Sequence, residues 1–130
     1  VEEYQLDSQV TLHGEVPQDL LAKALGRSDA LILYSRYETF GCVVIEANAC
    51  GLPAILSDRP VFREYCVENK NALFASPDNV PALSDAIISF INKRNSFDKS
   101  EIAQFAKNNF SYEVVAKQFE EIYKRFGQTN

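Results

Sequence analysis

Short apolar runs alternate along this chain with longer stretches whose apolar residues recur every three or four positions. The first pattern predicts buried strands and the second amphipathic helices. Val10-Thr11-Leu12 reads as a short strand ending at Gly14. From Pro17 to Gly26, Leu20, Leu21, Ala24 and Leu25 fall at helical spacing, with a glycine near the end, where helices often stop. Ala30 to Tyr34 is apolar throughout, as a strand covered on both faces should be. Residues 42–50 predict a helix and Pro53 to Leu56 the next buried strand. Pro60 to Val67 predicts a short helix, with proline suited to its first turn, and Ala72 to Ala75 a last strand.

Three helices close the pattern. One covers about residues 80–93, with Leu83, Ile87, Ile88 and Ile91 on one face. The next follows Asp98, which with Glu101 makes a D-x-x-E capping signal. The last follows Ser111 and carries Tyr112, Val115, Phe119, Ile122 and Phe126 as a stripe over four turns. Strand–helix alternation predicts an α/β fold, a Rossmann-like parallel sheet of about four strands with helices on both faces. No repeat or linker divides the chain, so residues 1–130 read as a single domain.

Composition narrows the function classes. The chain has 130 residues, 46% hydrophobic and 24% charged, enough for one core. No apolar run approaches the roughly 20 residues that span a bilayer, and no basic leader precedes an apolar segment, so a cytoplasmic location is expected. The sequence starts at Val1 and holds no methionine, which suggests a piece of a longer chain. Net charge is −5, and residues 1–65 hold five Lys and Arg against ten Asp and Glu. Without a basic stripe, nucleic acid and anionic membrane surfaces are poor partners. Cys42, Cys50 and Cys66 lack any C-x-x-C spacing and His13 is the only histidine, so no zinc site is expected. The cysteines read as three reduced, small core residues.

The most informative stretch is Glu38-Thr-Phe-Gly-Cys-Val-Val-Ile-Glu46. It sits between a predicted strand and a predicted helix, where ligands of parallel sheets bind. Gly41 would let backbone approach a ligand closely, or would take a positive φ. The amides of Cys42 and Val43 would open the helix and face the crevice as anion donors. Glu46, in the second turn, would lean back toward the helix start. Two carboxylates beside a diphosphate would repel it, so they suit hydroxyl groups at either end of it.

At these residues the chain resembles GT-B enzymes of the glycosyltransferase family 4, or group 1, type: retaining sugar transferases. The resemblance runs through Val10–Gly14, Asp29–Ser57, Glu64, Asn71–Phe74 and the closing helix. Its specific part is Glu-x7-Glu with Phe40-Gly41 inside, Glu46-Ala47, and Gly51-Leu52-Pro53 beyond. The resemblance implies a catalytic-site role for Glu38, accepting hydrogen bonds from donor sugar hydroxyls. It implies that the backbone of Phe40, Gly41 and Cys42, with Val43 close by, lines the sugar and diphosphate. Glu46 would hold the ribose, Ser35 would shape the pocket floor, and Gly14, Glu15 and Val16 would lie beside the nucleobase. No metal or other cofactor is expected.

The same resemblance places this chain as the donor-binding, C-terminal half of a GT-B fold. The basic pair that usually neutralises the diphosphate, and the acceptor domain, would lie outside it. The expected function is transfer of a sugar from a nucleoside diphosphate sugar to an acceptor hydroxyl, on a glycan or lipid. The intact enzyme would be cytoplasmic or peripheral at a membrane, and the isolated piece inactive. Alternatives are a GT-B-like phosphorylase or sugar epimerase domain, or a non-enzymatic receiver-like module. The last wants clustered acids after the first strand, which His13-Gly14-Glu15 does not supply. Tyr34 stands where the family often has proline, and Lys70-Asn71-Ala72 lacks the glycine often found before the last strand. With neighbouring strands absent, the Val10 strand or the last helix is expected to mediate homodimerisation or swapping.

Overall fold

A computed structural model of the chain describes residues 2–127. At its centre lies a parallel sheet of three strands, β1 (Leu31–Leu33), β2 (Ala54–Ser57) and β3 (Ala72–Ala75), in that order. Leu31 pairs with Ala54, and Ala54 with Ala72, so the strands start level. The helices are α1 (Gln18–Arg27), α2 (Cys42–Ala49), α3 (Pro60–Arg63), α4 (Val80–Lys93), α5 (Lys99–Phe110) and α6 (Tyr112–Gly127). The α/β reading and the helices on both faces are therefore observed.

β2 is buried along its whole length, and its side chains alternate between two cores, as the two-residue period of a strand requires. Ala54 and Leu56 join Val44, Phe62, Tyr65, Cys66 and Ala72 under α2 and α3. Ile55 faces the other way, with Leu73, Ala75, Ala86, Phe90, Phe97 and Ile102. Full burial of a side chain such as Leu56 or Phe62 stabilises the fold by about 1.5–3 kcal/mol each. A third cluster of Leu25, Ala47 and Leu52 fixes α1 against α2. Local signals agree with these boundaries. Pro60 opens α3, the Asn79 side chain caps α4 through the Ala82 amide, and Asp98 accepts from Ser100 and Glu101 at the start of α5.

Four expectations need correction. Val10–Leu12 is not a strand. It is exposed, with Leu12 82% accessible, because no described strand lies beside it to supply ladder hydrogen bonds. The expected parallel sheet is present, with three strands where about four were expected. β1 is an edge strand, and Ile32 is 48% exposed rather than covered on both faces. The inner face of α4 is Ala82, Leu83, Ala86, Ile87 and Phe90, while Ile88 and Ile91 point to solvent. Of the cysteines only Cys66 is buried; Cys42 is exposed and Cys50 intermediate.

The turn before β3 uses asparagines instead of glycine. Asn69 takes the positive φ, 60°. Asn71 is buried: its carbonyl oxygen accepts from the Val67 amide at 2.7 Å and its amide donates to Asn48 at 2.9 Å. Asn48 in turn donates to the Leu52 carbonyl at 2.8 Å. Burial of two amides is tolerated because these groups satisfy one another. On α6 the apolar stripe is exposed, with Tyr112 at 93% and Phe119 at 54%.

Candidate functional site

The site grows from the carboxyl end of β1, where the chain passes through residues 34–41 before α2 begins at Cys42. Three ties hold this edge of the sheet. Ser57 Oγ donates to the Ser35 carbonyl at 2.8 Å, joining the exits of β2 and β1. The Tyr34 hydroxyl bonds the Ser76 carbonyl and accepts from the Asn79 amide at 2.9 Å, joining β1 to the exit of β3. Tyrosine where proline is common thus has a role: it spans the edge with its phenol.

Gly41 has φ 78° and ψ 55°, a left-handed conformation that favours glycine. A β-carbon there would lie 2.7 Å from Phe62 Cε1 and 3.2 Å from the Tyr65 hydroxyl. Of the two reasons for glycine left open by the sequence, positive φ is observed. The space beside it is filled by protein side chains. Glu38 braces the same turn, its Oε1 accepting from the Thr39 amide at 3.0 Å and the Phe40 amide at 3.5 Å. From the segment after α3, the Tyr65 hydroxyl donates to the Phe40 carbonyl. The Phe40 ring, 42% exposed, lies against Tyr65 at 5.4 Å and Phe110 at 6.3 Å between ring centres.

This bracing leaves donors unused. α2 has no side-chain cap. The N–H groups of Gly41, Cys42 and Val43 have no acceptor among the described residues. Uncapped amides at a helix start carry partial positive charge and suit an anion. Glu38, Phe40, Gly41, Cys42 and Val43 therefore meet in one turn.

Glu46 stands apart from that turn. It is half-buried, and its Oε1 accepts from Gln18 Nε2 at 3.4 Å. The pair lies at a groove of about 220 Å³ between α1 and α2, lined by Leu21, Leu25 and Cys50. Glu38 and Glu46 thus have different partners on different elements. Gly14, Glu15 and Val16 lie in the exposed segment leading into α1, with Gly14 at φ 64°. They approach the site only through α1, whose first residue touches Glu46.

The cations near the edge are engaged. Arg63 makes two hydrogen bonds to Asp58, at 2.8 and 3.0 Å, reaches Glu68 at 3.6 Å, and stacks on Phe74. The Arg63 hydrogen bonds hold the Asp58 carboxyl below its ordinary range. Arg36 and Arg59 share Asp78, at 3.2 and 3.6 Å. Burial pushes the Tyr65 hydroxyl well up, with Cys66 and Glu38 adding to the shift, so it remains a proton donor. Burial also pushes the Cys66 thiol up to about 12. Among the described residues no cluster of three or more His, Cys, Asp or Glu could hold a metal, and no helix is long and apolar enough to cross a membrane.

Sequence reasoning missed Gln18, Tyr65 and Asp78. Gln18 carries the signal of a polar residue just after Pro17, but nothing local points to Glu46, 28 positions away. Tyr65 carries no signal at all, because its partner lies 25 positions earlier.

Comparison with known proteins adds the family. The profile of the family "Glycosyl transferases group 1" matches residues 1–109. The O-antigen chain mannosyltransferase RfbU of Salmonella typhimurium is 34% identical over 118 residues, 83% of this chain and 33% of that protein. Glycogen synthase of Mycobacterium tuberculosis is 28% identical over 112 residues, 85% of this chain and 27% of that protein. Sucrose-phosphate synthase from Thermosynechococcus elongatus superimposes with a TM-score of 0.89 at 26% identity, over 99% of this chain and 33% of that one. The chain thus spans about a quarter to a third of the length of these relatives. The match over most of its length establishes that the chain belongs to the group 1 glycosyl transferases.

Proposed function

We propose that this chain is the donor-binding part of a retaining glycosyltransferase that moves a sugar from a nucleoside diphosphate sugar to an acceptor hydroxyl. The observation that carries the reading is the turn at Gly41, where three unpartnered amides open α2 between Glu38 and Glu46. A diphosphate fits those amides, whose dipoles would stabilise the charge that develops as the sugar leaves it. Glu38 would accept hydrogen bonds from sugar hydroxyls by exchanging its present contacts with the Thr39 and Phe40 amides. Glu46 would take the ribose hydroxyls at the α1–α2 groove, with Gly14, Glu15 and Val16 toward the nucleobase. Ser35, its carbonyl fixed by Ser57, would support the pocket floor.

No metal is assigned to the reaction, because the proposed charge stabilisation comes from amides and basic groups. The acceptor, a glycan or lipid, would be bound by residues outside this chain. Catalysis requires both sets of groups around one reacting centre, so the chain alone would be inactive. Copies of the chain would associate through the exposed Val10–Leu12 segment or the apolar face of α6.

Titration of UDP and GDP into the full-length protein and its Glu46→Ala variant tests the reading. One of the two nucleotides should bind, and the variant should bind it at least tenfold more weakly, the worth of a carboxylate–hydroxyl contact. Equal binding by parent and variant would remove Glu46 from the ribose site.

A further inference from the structure

We propose that Tyr65 is a positioning residue for the donor diphosphate: its hydroxyl holds the Phe40 carbonyl and so turns the Gly41 amide into the crevice. The inference rests on the donor-site reading above and deepens it at one hydrogen bond. In a trans peptide the C=O and N–H point to opposite sides, and the chain has no cis peptide among the described residues. Once Tyr65 takes the Phe40 carbonyl, the Gly41 N–H of the same peptide faces away from Tyr65. Gly41 is buried, yet its N–H has no acceptor among the described residues. An orphaned donor of this kind requires an acceptor from elsewhere.

Tyr65 is placed to impose that orientation. It is 7% exposed, and its ring is locked among Phe40, Phe62 and Phe110 at centre distances of 5.4, 6.4 and 5.8 Å. A ring held on three sides cannot swing its hydroxyl away, so the carbonyl it holds is fixed too. The left-handed backbone of Gly41 then carries the direction on to the Cys42 and Val43 amides. Glu38 touches the Thr39 and Phe40 amides and not the Phe40 carbonyl, which is held by Tyr65 alone among the described residues and so stays fixed when Glu38 exchanges its contacts for a sugar.

The test uses Tyr65→Phe in the full-length protein, a change that keeps the ring and removes only the hydroxyl. Affinities for UDP, UMP, GDP and GMP are measured by calorimetry for parent and variant. On this proposal the Gly41 amide serves the phosphate that a nucleoside monophosphate lacks. The variant should therefore bind the accepted nucleoside diphosphate about five- to tenfold more weakly, with monophosphate affinity unchanged. Loss of both affinities in equal measure would make Tyr65 merely structural and overturn the proposal. Unchanged diphosphate binding by the variant would overturn the Tyr65 role while leaving the donor site intact. Failure of the parent to bind either diphosphate would overturn the donor site and this role with it. A variant that no longer folds, judged by circular dichroism, would assign Tyr65 to stability and overturn the proposal too.

Discussion

Replacing Gly41 with alanine separates two costs that the structure superimposes at one residue. The first is conformational: an L-residue at φ 78° loses about 1–2 kcal/mol relative to its preferred backbone. The second is steric: the new methyl would sit 2.7 Å from Phe62 Cε1, and Phe62 is fully buried in the α2–α3 core with no room to retreat. Overpacking of this kind costs about 1–3 kcal/mol. Gly41→Ala should therefore destabilise the chain by about 2–5 kcal/mol in urea denaturation, at unchanged m. Gly14→Ala is the control, since Gly14 has φ 64° but nothing within 4 Å of an added β-carbon. It should lose only the conformational part, about 1–2 kcal/mol. Both changes restrict the unfolded chain equally, so their difference reads the contact with Phe62 and Tyr65. If the two substitutions cost the same, the packing argument at Gly41 is wrong.

Three further outcomes follow from the packing and the titrating groups. Asn48→Ala leaves the buried Leu52 carbonyl without a partner and the Asn71 amide with only its 3.3 Å bond to the Tyr65 carbonyl, and should cost about 1–3 kcal/mol in the same assay; no measurable loss would contradict the network. Brief alkylation near pH 8, followed by mass spectrometry, should label exposed Cys42 first, Cys50 next and Cys66 only on unfolding, since its thiol is both buried and pushed up to about 12. The folded Asp58 carboxyl titrates below its unfolded value, so the Arg63 pair stabilises the chain above about pH 4 and ceases to as pH falls through the folded value. The pair is nearly half exposed, so Asp58→Asn should cost at most about 1 kcal/mol near neutral pH and nothing near pH 2; a gap that persists in acid would refute the ion-pair account.

Much of the fold was legible because short-range rules decide it. Apolar runs marked β1, β2 and β3 within a residue or two, and Asp98 capped α5 as its spacing implied. The candidate turn was legible for the same reason. Glu38, Phe40, Gly41 and the opening of α2 are contiguous, so strand, glycine and helix start follow one another in sequence and in space. Where the reading failed, a distant partner was missing or present unannounced. Val10–Leu12 has the composition of a strand but no neighbour to pair with, and strand formation needs a ladder. Ile88 and Ile91 are apolar at helical spacing, yet α4 meets β2 and β3 through Ala86 and Phe90 instead.

By itself, then, the sequence determined the class of fold, the order of elements and the turn that gathers unused amides beside a carboxylate. Each of those depends on residues within about one helical turn of one another. Only the tertiary structure decided what those groups touch. It set Glu46 against Gln18, gave Asp78 to two arginines, and brought Tyr65 from 25 positions away to the Phe40 carbonyl. Contacts across such separations depend on how α1 and the segment after α3 pack around α2, and no local pattern encodes that packing.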